Sequence, residues 1–476
     1  MTTSLRSLFL VVAAVGLASA GLWVGDGVLA ARPLPEVQTP RQVDEIALSL
    51  SNPAAHPRLA IPDFHVTDGD AKVRDLARTV AEVLWNDIDF EQEYYLIPRR
   101  AAEAIPVTAF TSMSYDQWAA LGADVVLHGT AYPRGQSLVV ELRLIAVRGQ
   151  SPGAQHFGKQ YVCGMQTARG PRDCAHQIAD DFHAEVRQLE GIARTKIAFA
   201  SDRDSTRAAG RPLASANVGK EIYLVDYDGA HPTRLTANGS LNISPSWSPT
   251  GGLIAYTSYV SGYPDIYVAN LAQPGRGLQR PAQGTESVHN QLPAWSPDGQ
   301  TLAFVSNRDG SNDIWIVNRD GSGLQNLTPN MPKSHEGTPT WSPDGQQIAF
   351  TSDVAGQPQL YVMNRNGTGR RRLTGERIDR PTWSKQNFLA FSVGAVGAQI
   401  GILDFNNPTA GVQIITDGIG VSESPTVSPN GRHIAFVTTR WGRQEIAVMD
   451  RTGGRLRRIT NTGNNTFPNW QPIPGR

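Results

Sequence analysis

Pro293-Ala294-Trp295-Ser296-Pro297-Asp298-Gly299 and Pro339-Thr340-Trp341-Ser342-Pro343-Asp344-Gly345 are near copies of one another. Related stretches stand at Pro245-Ser246-Trp247-Ser248-Pro249, Pro381-Thr382-Trp383-Ser384, Pro425-Thr426-Val427-Ser428-Pro429 and Pro468-Asn469-Trp470-Gln471-Pro472. The central Trp (or Val) recurs every 42–48 residues. A fixed period of this length is the mark of a repeat architecture. Ile197-Ala198-Phe199 recurs in the same rhythm as Ile254-Ala255-Tyr256, Leu302-Ala303-Phe304, Ile348-Ala349-Phe350, Leu389-Ala390-Phe391 and Ile434-Ala435-Phe436. Further strand-like runs surround Ile222-Tyr223, Ile266-Tyr267, Ile314-Trp315, Leu360-Tyr361, Ile400-Gly401 and Ile446-Ala447. A fourth run ends in Leu235-Thr236, Leu327-Thr328, Leu373-Thr374, Ile415-Thr416 or Ile459-Thr460, with only a weak match near Leu278 in the second unit. Four short β-branched and aromatic runs per repeat, separated by Gly, Pro, Asn and Asp, describe propeller blades.

The phase of the repeat sets the blade count. Residues 197–236 hold three strands with no Trp-Ser-Pro strand before them, and the Trp470 strand has nothing after it. Joining the two ends completes a sixth blade, so 195–474 is expected to be a six-bladed β-propeller closed by pairing of its first and last strands. The preceding residues follow a different pattern. Arg58 to Phe64 reads as a strand, Ala71 to Asp87 as an amphipathic helix, and Ala123 to Thr130 with Leu138 to Val147 as a hairpin. His156 to Cys163 reads as another strand and Arg172 to Leu189 as a helix ending at Gly191. The fold class is therefore an α/β domain over 58–191 followed by an all-β propeller.

The chain has 476 residues, with 43 basic and 43 acidic side chains. A zero balance argues against nucleic-acid binding by broad phosphate neutralisation. It hides an acidic first half and a basic propeller. Arg6 precedes an uncharged, almost wholly apolar or small run from Leu8 to Val24, with Ala18-Ser19-Ala20 inside it and Val28-Leu29-Ala30 after it as small-x-small sites. This is the order of a secretory signal over 1–30, cleaved after Ala20 or Ala30. The competing reading is an uncleaved anchor. No later segment is apolar enough to insert, so the mature chain is expected to be exported, without stable membrane insertion and monomeric. Residues 31–57 are Pro-rich and polar around Val43 to Leu48 and read as a mobile leader. In an oxidising compartment, Cys163 and Cys174 are a disulfide candidate worth about 3 kcal/mol; two separate thiols are the alternative.

Catalytic signatures are weak. Gly149-Gln150-Ser151-Pro152-Gly153 matches the nucleophile-elbow pattern, yet a strand-like run follows where a helix is required. Asp226-Tyr227-Asp228-Gly229 and Asn318-Arg319-Asp320-Gly321 resemble calcium-loop fragments without the downstream Glu and read as turns. No Walker loop, H-E-x-x-H or C-x-x-C occurs, so neither a cofactor nor a metal is expected. The polar residues just before each Trp strand stand out instead. Loops entering the innermost strands open onto one channel mouth, where His289, Asn290, His335, Glu336, Thr338, Asp379, Glu423 and Asn465 form a candidate protein-recognition rim. His289 and His335 as a metal pair, for which spacing supplies no third ligand, and ordinary solvated loop residues are the alternatives.

Several features together resemble the TolB family, periplasmic propeller proteins of the Tol–Pal system. They are the export signal, Ile61-Pro62-Asp63-Phe64 and its helix, and Ala119-Ala120-Leu121-Gly122-Ala123-Asp124-Val125-Val126. The junction Gly191-Ile192-Ala193-Arg194-Thr195-Lys196-Ile197-Ala198-Phe199 and the six repeats complete the set. The resemblance implies a non-enzymatic periplasmic adaptor that binds the lipoprotein Pal at the channel mouth and TolA through its N-terminal segment. It thereby serves outer-membrane integrity and constriction at division. His289-Asn290 matches a Pal-contacting loop of the family, whose pattern has Thr where this chain has Gly337 beside Thr338. By the same analogy Val43, Asp44, Glu45 and Ile46 fall in the TolA-binding segment. The competing classes are a stand-alone peptide- or carbohydrate-binding propeller and a propeller-associated peptidase, which would need a hydrolase domain that neither half supplies.

Overall fold

A computed structural model describes residues 56–67, 69–149, 151–204, 219–273, 279–329 and 334–473. The expected signal, residues 31–55 of the leader, with Val43, Asp44, Glu45 and Ile46, and Leu278 lie outside the described residues. The N-terminal domain is a mixed sheet built from β1 (Arg58–Ala60), β2 (His65–Val66), β3 (Tyr95–Leu96), β4 (Val125–Arg134), β5 (Ser137–Ala146) and β6 (Gln155–Gly164). Its strand order is β3-β1-β4-β5-β6, with β2 also on β4; the first contacts are parallel and the β4-β5-β6 meander antiparallel. The strand expected to reach Phe64 stops at Ala60, two residues before Pro62, which has no N–H to give a ladder.

Helix α1 (Ala71–Glu91) starts where the Asp70 carboxylate accepts the Lys72 N–H at 2.8 Å. It buries Val73, Ala77, Val80, Leu84 and Ile88, a stripe at helical spacing. The short helices α2 (Arg99–Ala102) and α3 (Tyr115–Ala120) cover the other sheet face, around Trp118, Val126 and Ile145. Helix α4 (Arg169–Arg187) lies beside α1 and is tied to β6 by a Cys163–Cys174 disulfide with Cα atoms 5.4 Å apart. Its left-handed cap is Gln188, not Gly191. Gly191 is required for a different reason, because a Cβ there would overlap Asp180. The Asp180 carboxylate accepts the Ala193 N–H at 2.7 Å and Arg194 Nε at 2.8 Å, pinning the linker to α4.

Six sheets follow. Strands β7 (Lys196–Ser201), β8 (Glu221–Asp226) and β9 (Thr233–Arg234) are completed by the C-terminal strand Asn465–Trp470, which pairs with β7. Blades 2 to 6 begin with the inner strands Asn242–Trp247, Asn290–Trp295, Glu336–Trp341, Ile378–Ser384 and Ser422–Val427. Among the described residues blade 2 has three strands and a bridge, Val268 to Gln279, where the others have a fourth strand.

The α/β domain sits on the seam between blades 6 and 1. One continuous core runs from Leu84 and Phe182 through Tyr227 and Phe199 to Val448 and Trp470. At the seam, Trp470 Nε1 donates to Thr195 Oγ1 at 2.8 Å and the Lys196 N–H to Gln471 Oε1 at 3.0 Å. Trp470→Ala should cost about 3–5 kcal/mol, the range for a buried aromatic truncation. Urea denaturation of the two proteins checks this; a loss below about 1 kcal/mol would show that the seam does not carry the fold.

Candidate functional site

The inner strands surround a central channel, and each is bulged at the same place. Ile243 faces Thr257 and Ser246 faces Ala255, so the inner strand carries one extra residue against its neighbour. The same shift recurs in all six blades. In each, the residue before the strand proline has positive φ: Ser244 51°, Leu292 57°, Thr338 43°, Arg380 51°, Ser424 53° and Phe467 56°. Non-glycine residues rarely occupy this region, and a residue before proline normally stays extended. The bulge holds them there, and all six line one cavity of about 390 Å³ in the channel.

The channel has two unlike ends. The inner strands start beside the ends of the second strands, as Asn242 opposite Ser258 shows. The entry rim is thus built from the loops into each blade and the turns between second and third strands. The α/β domain contacts the opposite end: Asp228 pairs with Arg172, Lys385 with Glu190, Arg432 with Glu93 and Arg455 with Asp89. Among the described residues the entry rim therefore carries no contact with the α/β domain. It exposes Val260, Val354, Val396 and Ile419, with Val396 96% exposed. Apolar side chains around a polar rim are what a protein-docking face needs.

Three residues expected on that rim point inward. Asn290 is fully buried, its Nδ2 donating to Asp265 Oδ1 of the preceding blade at 2.8 Å. Glu336 is buried and accepts the Ser334 and Ser352 hydroxyls, each at 2.8 Å; burial pushes its carboxyl above the ordinary value. Asn465 is buried with Nδ2 on Thr460 Oγ1 at 2.9 Å. As first residues of inner strands they fasten the channel wall, and that expectation is corrected: they offer no side chain to a partner. Asn242 does the same, bonding Glu221 of blade 1.

The others are accessible to different degrees. His335 and Asp379 are exposed, and His289 and Glu423 half-buried. His289 Nε2 donates to the Glu286 carbonyl at 3.0 Å, which leaves Nδ1 as an acceptor. Glu423 accepts Gln444 Nε2 at 3.3 Å. Thr338 belongs to the channel ring, its Oγ1 3.1 Å from Thr351 Oγ1. Arg380 and Phe467, the largest ring side chains, were not anticipated from sequence; the signal was the position directly before each strand proline.

His289 and His335 do not converge on a common ligand. Among the described residues the one grouping of three ligand-type side chains is Asp87, His176 and Asp228, at the domain interface. There Asp87 meets His176 Nδ1 at 2.8 Å, while Asp228 lies 3.8 Å from Nε2. The carboxylates flank opposite ring nitrogens; Tyr227 donates to the other Asp87 oxygen, Arg172 to the Asp228 oxygen facing the ring, and the Ala230 N–H to the second Asp228 oxygen. That is a hydrogen-bonded clasp rather than an ion cage. Burial pulls the imidazole pKa down, but Asp87 and Asp228 outweigh it and hold His176 above its ordinary value.

Among the described residues, an α/β domain covers one face of a six-bladed propeller and leaves the opposite rim uncovered, which defines a two-domain propeller class. Residues 51–152 match the TolB amino-terminal domain and residues 185–474 the TolB beta propeller domain. The chain belongs to the TolB family. A Tol-Pal system protein TolB from Desulfosudis oleivorans is 32% identical over 232 residues, covering 47% of this chain and 48% of that one. One from Cereibacter sphaeroides strain ATCC 17029 is 31% identical over 221 residues, 46% of each. The chain thus spans about half the length of the curated relatives it matches. The crystal structure of TolB from Acinetobacter baumannii shares the fold, with TM-score 0.71 at 21% identity over 88% of this chain and 97% of that one. Among the described residues no helix is long and apolar enough to cross a membrane.

Asn290→Ala should destabilise the protein by about 1–3 kcal/mol by stripping a partner from buried Asp265, whereas His335→Ala should stay within about 0.5 kcal/mol. Equal effects in thermal or urea unfolding would contradict this division of the rim.

Proposed function

We propose that the protein is a non-enzymatic periplasmic adaptor of the Tol–Pal system, serving outer-membrane integrity and constriction during division. Pal docks on the entry rim, and TolA binds the segment around Val43, Asp44, Glu45 and Ile46. The observation that carries this reading is the entry rim itself. It opens away from the α/β domain and combines exposed Val396 and Ile419 with His289, His335, Asp379 and Glu423. An adaptor needs two binding regions, and the rim and the N-terminal segment are the two candidates. Membership in the TolB family supports both partners.

Calorimetric titration of the full mature chain with the periplasmic domain of its cognate Pal tests the first half. Binding should weaken about fivefold or more for His289→Ala and for Glu423→Ala, in line with truncation of a central interface contact. Deleting residues 31–48 should abolish TolA binding and leave Pal binding in place. Unchanged Pal affinity in both rim variants would remove the rim assignment, and retained TolA binding would remove the segment assignment.

A further inference from the structure

Arg380 occupies the channel ring on blade 5, and its guanidinium Cζ lies 4.1 Å from the ring centroid of Phe467 on the closing strand. The two strands are separated by blade 6, so the side chain reaches past Ser424 and crosses part of the channel. A stacked guanidinium uses its flat face and keeps its N–H edge available for bidentate bonds. Three other arginines that lie over propeller aromatic rings spend that edge within the blades. Arg280 over Tyr267 also pairs with Asp265, Arg365 over Trp341 with Asp298, and Arg458 over Trp441 with Glu445. Arg380 does not: among the described residues its guanidinium makes no hydrogen bond or ion pair.

Its acidic neighbours are engaged elsewhere. Asp379 Oδ1 takes the Arg380 backbone N–H at 2.8 Å, and Glu423 Oε1 takes Gln444 Nε2 at 3.3 Å. Burial lowers the Arg380 pKa while these carboxylates oppose the shift, and an arginine stays protonated through such a change. Five donors on a partly desolvated cation thus stand in the channel without an acceptor. Ser244, 8% exposed and lining the same cavity, has a buried Oγ without a hydrogen-bond partner.

We propose that Arg380 is a carboxylate receptor inside the channel, taking the side chain of an Asp or Glu that the rim-docked protein projects between the blades. This rests on the reading that a protein docks on the entry rim, and it assigns that protein's anchoring chemistry. A carboxylate matches the guanidinium edge with two parallel bonds and one compensating charge. A phosphate dianion would leave surplus negative charge beside Asp379 and Glu423, so the flanking acids select for a single charge. Phe467 holds the guanidinium in place, which reduces the entropy lost when the acid arrives.

The test is a double-mutant cycle by calorimetry with the full mature chain and the Pal periplasmic domain. Arg380→Gln should weaken binding about tenfold or more, and Arg380→Lys should recover part of the loss by restoring charge without the fork. One Asp→Asn or Glu→Gln substitution on the Pal domain should weaken wild-type binding by a similar factor yet change nothing against Arg380→Gln. Matching melting temperatures confirm that the variants fold. Wild-type affinity in Arg380→Gln, or no coupled acidic residue, overturns the receptor and leaves the rim reading standing. A wild-type chain that fails to bind the Pal domain overturns the rim reading and, with it, this anchor. Acetate titration followed by the Arg380 Nε–H NMR signal separates the sources. Saturation at millimolar acetate without any coupling to the Pal domain assigns a free carboxylate instead and overturns the side-chain source.

Discussion

The pairing of Asn465–Trp470 with β7 is the contact on which the rest of the molecule depends. It joins residues at opposite ends of the propeller sequence, and without it β7 and the C-terminal strand would each present an open edge. The seam is also where the α/β domain is fastened. Tyr227 and Asp228 of blade 1 and Asn430, Arg432 and His433 of blade 6 all meet α1, α4 or the linker. The domain therefore bridges the closure and clasps the blades on either side. Because the hydrophobic core is continuous across the joint, opening the seam and releasing the domain expose the same apolar surface.

The clasp is charged as well as apolar. Glu91 is buried against His433 and Asn430, and Phe90 stacks on the His433 ring at 4.2 Å. Burial would raise the Glu91 pKa, but the His433 hydrogen bond and nearby cations bring it below the ordinary value. Such buried pairs are costly to desolvate and contribute little net stability against an apolar alternative. What they add is orientation: the α/β domain can satisfy Asp87, Glu91 and Asp180 together in one pose over one seam. Fixing that pose keeps the domain at the far face and leaves the entry rim open.

Most of this architecture was legible because each blade repeats a complete local instruction. A strand ending in Trp-Ser-Pro-Asp-Gly contains its own turn, and six copies out of phase with the chain ends imply closure. The site was less legible. Asn290, Glu336 and Asn465 look like loop residues in sequence, yet strand pairing begins on them and turns their side chains into the wall. The channel ring was hidden by an ordinarily sound rule. A residue preceding proline is expected to be extended, and an extended Arg380 or Phe467 would not be assigned to the channel lining. Only the ladder, with one extra residue opposite each second strand, reveals the left-handed turn. Gly191 was misread similarly, since its need for no side chain comes from distant Asp180.

The ring also separates fold from specificity. Each positive-φ residue carries backbone strain on the order of 1 kcal/mol, offset by the paired strands around it. That strain is set by the backbone, and the side chains at the six positions range widely in size and polarity. Ser, Leu, Thr, Arg, Ser and Phe stand at equivalent places without disturbing the bulge register. The Pro and the Trp or Val that follow them do most of the packing, although Leu292 and Phe467 also pack against neighbouring blade cores. A channel built this way carries a hydroxyl on one blade and a guanidinium on another at the same backbone position. The chemistry presented to a partner is then decided residue by residue, on a scaffold that closes identically whatever the ring contains.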